Sequence, residues 1–177
     1  MTAATAIKTE TLAGTPISDG AGASHSVPVA TFTLPEPPST NNLFKNVKGV
    51  GRVRSSHYQD WLMCAITAMR MQNIKNVDCR CIVVVGVERN SLQSDIDNRL
   101  KATLDAIVKA GVLSDDSLVT AALPVWLPKA NAMAHVQIFE CRHPLTLTIH
   151  PAQDGASAAV IVSAPQHEGD DDGYQPL

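Results

Sequence analysis

CRCIVVVGVERNSLQSDIDNRLKATLDAIVKAGVLSDDSLVTAALPVW, from Cys79 to Trp126, decides both the fold and the chemistry of this chain. It reads as strand, helix, strand. The β-branched run Ile82-Val83-Val84-Val85 lies within a strand over 79–88 and is typical of a central strand. From Asp97 to Lys109 the period changes to that of a helix, with Leu100, Leu104, Ile107 and Val108 toward the core and Gly111 as its stop. Leu118 to Trp126 then returns as a strand.

Working outward, Ser55 and Ser56 are N-cap candidates for a helix over 57–72. Its Tyr58, Trp61, Leu62, Ala65, Ile66 and Met69 fall on one stripe. Val29 to Leu34 alternates like a strand, and Pro35, Pro37 and Pro38 end it. Asn41 to Arg54 is a glycine-containing basic loop or loose hairpin. Downstream, Ala134 to Cys141 and Leu145 to Ile149 read as further strands. The order β-α-β-α-β-β predicts a single α+β domain, a mixed sheet packed with two main helices. The expected organisation is a flexible arm over 1–27, a folded domain over 28–150 and a disordered acidic tail over 151–177. Within that tail Ala158-Ala-Val-Ile-Val-Ser-Ala164 has strand character, but no convincing flanks.

A chain of 177 residues with 45% apolar content can bury one core. It has no run of about 18 apolar residues, so no membrane span is expected, and the opening segment lacks the apolar stretch of a signal peptide. Cys79-Arg80-Cys81 lacks the spacing of a zinc pair, and with Cys64 and Cys141 these read as reduced thiols.

The net charge of −3 hides a strong polarity. Between Asn41 and Ala110 eleven basic residues face six acidic ones, a balance of +5, whereas the residues from Asp154 onward carry −5. The basic part can supply phosphate contacts, although an ordinary soluble surface has the same look.

Asp95 and Asp97 are one residue apart, so in extended backbone both carboxylates face one side. Such a pair repels itself unless a cation lies between, and oxygen ligands suit Mg²⁺ or Mn²⁺. The plainer alternative is that one of them caps the helix. Asn98 can hold a carboxylate or a phosphate oxygen. Asp97, Lys101 and Asp105 recur every fourth residue along one helix face, where Lys101 either reaches a phosphate or merely bridges its acidic neighbours. Asp115 and Asp116 sit in a turn just before a strand, and the helix is expected to return that turn toward the sheet carrying Asp95.

The string DIDNRLKATLDAIVKAGVLSDDSLV, Asp95 to Val119, resembles the central signature of RusA-type Holliday-junction resolvases. Leu34-Pro-Glu-Pro-Pro-Ser-Thr-Asn-Asn42 is similar to that family's early proline segment, and the likeness runs over about residues 29–141. The resemblance implies a homodimeric endodeoxyribonuclease that binds four-way DNA junctions. It implies Asp95, Asp97 and Asp116 as metal ligands, Lys101 as a catalytic residue, and Mg²⁺, with Mn²⁺ as a substitute, as the cofactor. Lys45, Lys48, Arg52 and Arg54 are the expected phosphate contacts. The cytoplasm of a bacterial or phage-infected cell is the implied location. A binder of branched DNA without catalysis, and a nuclease for flaps or other branched DNA, are the alternatives.

Overall fold

A computed structural model describes residues 24–88, 95–128, 130–153 and 156–164. Along the chain run β1 (Ser24–His25), β2 (Ala30–Pro35), β3 (Phe44–Val47), β4 (Gly51–Arg54), α1 (Ser56–Met71), β5 (Cys81–Glu88) and α2 (Asp97–Lys109). They are followed by β6 (Val119–Leu127), β7 (Met133–Glu140), β8 (Thr146–Pro151) and β9 (Ala158–Ala164). The strand order of the main sheet is β2-β7-β5-β6. Its β5–β6 pair is parallel and the other two are antiparallel, so the expected mixed sheet is present.

The two helices cover one face of this sheet. Ser55 caps α1 by accepting a hydrogen bond from the Tyr58 amide at 3.1 Å. The α1 stripe buries Tyr58, Trp61, Leu62, Ala65 and Met69, with Ile66 half-buried beside them. Trp61 donates its indole N–H to the Pro35 carbonyl at 3.1 Å, which fixes where β2 ends under the helix. Gln72, just beyond α1, completes the free edge of β2. Its side chain accepts from the Thr33 amide at 2.9 Å and donates to the Thr33 carbonyl at 2.7 Å.

In α2 the residues expected to face the core do so, with smaller ones deepest between them. Ala102, Thr103, Ala106 and Ile107 are fully buried, while Leu100, Leu104 and Val108 flank them half-buried. Small residues at the centre let the helix axis approach its neighbours, and the leucines spread over the margins. Gly111 ends the helix as expected, at φ +77°, where a side chain would be strained.

Every residue of β5 is buried, so both of its faces are covered. Cys81, Val83, Val85 and Val87 face the core beneath the helices. Ile82 and Val84 point the other way, onto Phe139 and Val162. Val162 belongs to a second sheet of order β1-β9-β8, in which all pairs are antiparallel. This corrects the expected disorder over 151–177: residues 158–164 are a strand that covers the back of β5 and β7, and residues 165–177 lie outside the described set. Ser24 and His25, expected in a flexible arm, form the two-residue strand that pairs with β9. Cys79 precedes β5 rather than lying within it, yet packs against the same core as Cys81. All four cysteines are free thiols, and burial pushes Cys81 up to about 11. Among the described residues no helix is long and apolar enough to cross a membrane.

Candidate active site

The proline segment after β2 passes over the first turn of α2. Its Ser39 caps a short turn at Thr40–Asn42 by accepting from the Asn41 amide. The Thr40 hydroxyl donates to the Asn98 side-chain oxygen, and the Asn98 amide donates to Asp95 Oδ2 at 3.1 Å. Asn98 therefore does hold a carboxylate, and it orients Asp95. The next residue, Arg99, donates to the Pro37 carbonyl and pairs with Glu36 at 3.3 Å, both side chains being largely buried. The two stretches that carry the sequence resemblance are thus tied together by Thr40–Asn98 and by Arg99.

Ile96 occupies the N-cap of α2 and provides no side-chain cap, so neither aspartate plays the capping part. Asp97 stands in the first turn, where a negative charge complements the helix dipole, and it is exposed. Lys101 lies one turn further, exposed, and among the described residues it forms no ion pair. Asp105, the third residue of that row, accepts a hydrogen bond from the Tyr58 hydroxyl.

The adjacent acids beyond α2 have separate duties. Asp115 caps the turn Asp116–Leu118, accepting from the Ser117 amide at 2.8 Å. Hydrogen bonds from the Ser117 side chain and backbone hold the Asp115 carboxyl below the ordinary carboxylate range. Asp116 is exposed, three residues before β6.

The turn returns to the main sheet, as expected, at the start of β6, but Asp116 lies toward the opposite end of α2 from Asp95 and Asp97. Val119, the first residue of β6, pairs with Cys81 at the start of β5, whereas Asp95 follows the far end of β5 at Glu88. The 13 residues of α2, about 20 Å of helix, separate the two acidic ends. Among the described residues no three His, Cys, Asp or Glu side chains converge as a metal-holding group. The donor chemistry still fits a hard cation: Asp95 and Asp97 offer exposed carboxylate oxygens at one end of α2, and Asp116 offers another at the other.

The basic loop is a regular hairpin of β3 and β4, with Gly49 in its turn and Gly51 at the start of β4 both at positive φ. It is rooted beside the site, because the Ser55 amide and hydroxyl donate to the carbonyls of Leu43 and Asn42. The cross-strand pairs Phe44–Arg54 and Asn46–Arg52 put both arginines on one face, with Arg52 4.4 Å over the Phe44 ring. Lys45 shares the opposite face with Val53, and Lys48 is in the turn. All four basic side chains are exposed.

Sequence reasoning passed over Glu88 and His135. Glu88 is only 3% exposed, and its carboxylate accepts from the amides of Ala130, Asn131 and Met133 and meets His135 Nε2 at 3.0 Å. Burial alone would raise its pKa, but the His135 and backbone hydrogen bonds outweigh it and leave the group below the ordinary range. The available signal was an acid closing an otherwise apolar strand.

Exposed acids toward the two ends of one helix, a lysine on that helix and a basic hairpin rooted beside it lie on the segments that carry the family resemblance. Residues 35–138, more than half of the chain, match the family Endodeoxyribonuclease RusA, and the chain belongs to that family. Membership places it among the nucleases of the Holliday-junction resolvase type. No curated protein matches the chain.

Proposed function

We propose that this protein is a homodimeric, Mg²⁺-dependent endodeoxyribonuclease that resolves four-way DNA junctions in recombination and repair, in the cytoplasm of a bacterial or phage-infected cell. The family match supports the nuclease class, and the tie between Asp95, Asn98 and Thr40 carries the assignment of the site. Asp95 and Asp97 of one protomer and Asp116 of its partner would together hold the ion, which explains why α2 keeps them apart in a single chain. When bound, Mg²⁺ supplies Lewis-acid polarisation and a water of lowered pKa. Lys101 places its ammonium one turn from Asp97 and stabilises negative charge developing on the phosphate oxygens. Lys45, Lys48, Arg52 and Arg54 hold the DNA arms through phosphates, which position the substrate without reading its sequence.

The test is a side-by-side cleavage assay on a four-way junction, a flap, a fork and a linear duplex, each with Mg²⁺ and with EDTA. Preferential, Mg²⁺-dependent cleavage of the junction is expected. Equal or better cleavage of the flap would move the assignment to a flap nuclease. Tight junction binding with no cleavage would leave a binding protein.

A further inference from the structure

We propose that Glu88 is a positioning residue for the acidic end of α2, acting through the turn between β6 and β7; the inference rests on the catalytic reading of Asp95 and Asp97.

A carboxylate buried at the end of a central strand is costly unless its oxygens are satisfied. Here one oxygen accepts from the amides of Ala130 and Met133, at 3.2 and 3.4 Å, and from the amide of Asn131. The other accepts from His135, whose Nε2 must be the donor because an ionised carboxylate only accepts. The gripped segment contains Ala132 at φ +55°, a conformation that a residue other than glycine adopts at a cost. Glu88 holds the amides on both sides of that residue and so sustains the strained turn.

The turn in turn holds the proline segment. The Ala132 carbonyl accepts from the Glu36 amide at 3.0 Å, directly after the last β2–β7 pair, Pro35 with Met133. The Glu36 side chain pairs with Arg99 at 3.3 Å, and Arg99 also donates to the Pro37 carbonyl. Arg99 lies in the first turn of α2, two residues after Asp97 and next to Asn98, which orients Asp95. A continuous line of contacts therefore runs from Glu88 through the turn and Glu36 to the two aspartates. Misplacement of reacting groups by about 1 Å can cost roughly a hundredfold in rate, so such a line can matter far from the chemistry.

The experiment compares Glu88→Gln and Glu88→Asp with the wild-type full chain by amide hydrogen exchange, junction affinity and single-turnover junction cleavage. In Glu88→Gln an amide NH₂ replaces one acceptor and faces donors, so the turn loosens. Exchange over 97–101 should rise at least tenfold while exchange at the centre of α1 stays unchanged. Cleavage should fall at least tenfold, with junction Kd within twofold. Adding Glu88→Gln to Arg99→Ala should lower the rate no further, because both act along one line.

Unchanged exchange over 97–101 would overturn the inference. A uniform rise through both helices would also overturn it, since Glu88 would then only support the fold. If Glu88→Gln does not fold, Glu88→Asp, which keeps the charge but draws the carboxylate back from the three turn amides, must itself raise exchange over 97–101, and a flat result refutes the idea. A wild-type protein that cleaves no junction, with the exchange pattern as expected, would sink the proposed function and leave the positioning role standing.

Discussion

The Tyr58 hydroxyl donates to Asp105 Oδ2 across 3.2 Å, joining α1 to α2 on the helix face that also carries Asp97 and Lys101. Tyr58 is buried and stacked on Trp61, so its end of the bond is sheltered, while Asp105 is half-buried. Asp105 is thereby engaged in holding the helices together. Tyr58→Phe should cost about 1.5 kcal/mol, the contribution of a hydrogen bond to a charged acceptor, with urea denaturation as the measurement. Burial first, and the Asp105 charge second, push the Tyr58 hydroxyl up to about 12 from its ordinary 10.0. The folded pKa is the higher one, so this stabilisation is complete below pH 10 and disappears as pH rises toward 12. Wild type and Tyr58→Phe should therefore converge in stability across that window.

Separate placement of the acids predicts complementation. Asp95→Asn, Asp97→Asn and Asp116→Asn should each abolish most cleavage while leaving the fold intact, since all three side chains are exposed. Junction binding should survive or tighten, because repulsion of phosphates falls. A mixture of Asp97→Asn with Asp116→Asn should regain activity, because a mixed dimer contains one complete set of acids. Absence of any regain, in a mixture shown to exchange subunits, would place each site within one chain.

Lys101 is exposed on α2 and forms no ion pair among the described residues. Lys101→Ala should lower single-turnover cleavage by roughly a hundredfold, as loss of one transition-state donor does. Junction affinity and melting temperature should change little. A near-normal rate at saturating Mg²⁺ would take Lys101 out of the catalytic set.

The chain should also respond differently to two C-terminal truncations. Ending at residue 164 keeps β9 and should preserve stability. Ending at residue 150 removes Val162 from its contact with Ile82, Val84 and Phe139 and leaves β8 without a partner. Loss of a few kcal/mol is expected, since burying one large aliphatic side chain contributes about 1.5–3 kcal/mol, with increased dye binding by the exposed patch. Equal unfolding midpoints for the two truncated chains would show that the second sheet is dispensable.

Much of this architecture was legible from local sequence. The period of Asp97–Lys109, the glycine that ends it, the Ser55 cap and the β-branched run of β5 are encoded within a few residues of where they act. The acids, the lysine and the proline segment were equally visible, because their spacing along the chain is itself the signature.

Tertiary structure decided the rest, and the reason is the same in each case: the deciding partner is far away in sequence. Ala158–Ala164 is a strand because β5 needs its second face covered, a demand made some seventy residues upstream. Glu88 appears as a lone acid after valines until the strand pairing brings His135 and three amides to it. The separation of Asp116 from Asp95 follows from the parallel register of β5 and β6, since a parallel crossover must carry the chain back along the full strand before the next one begins.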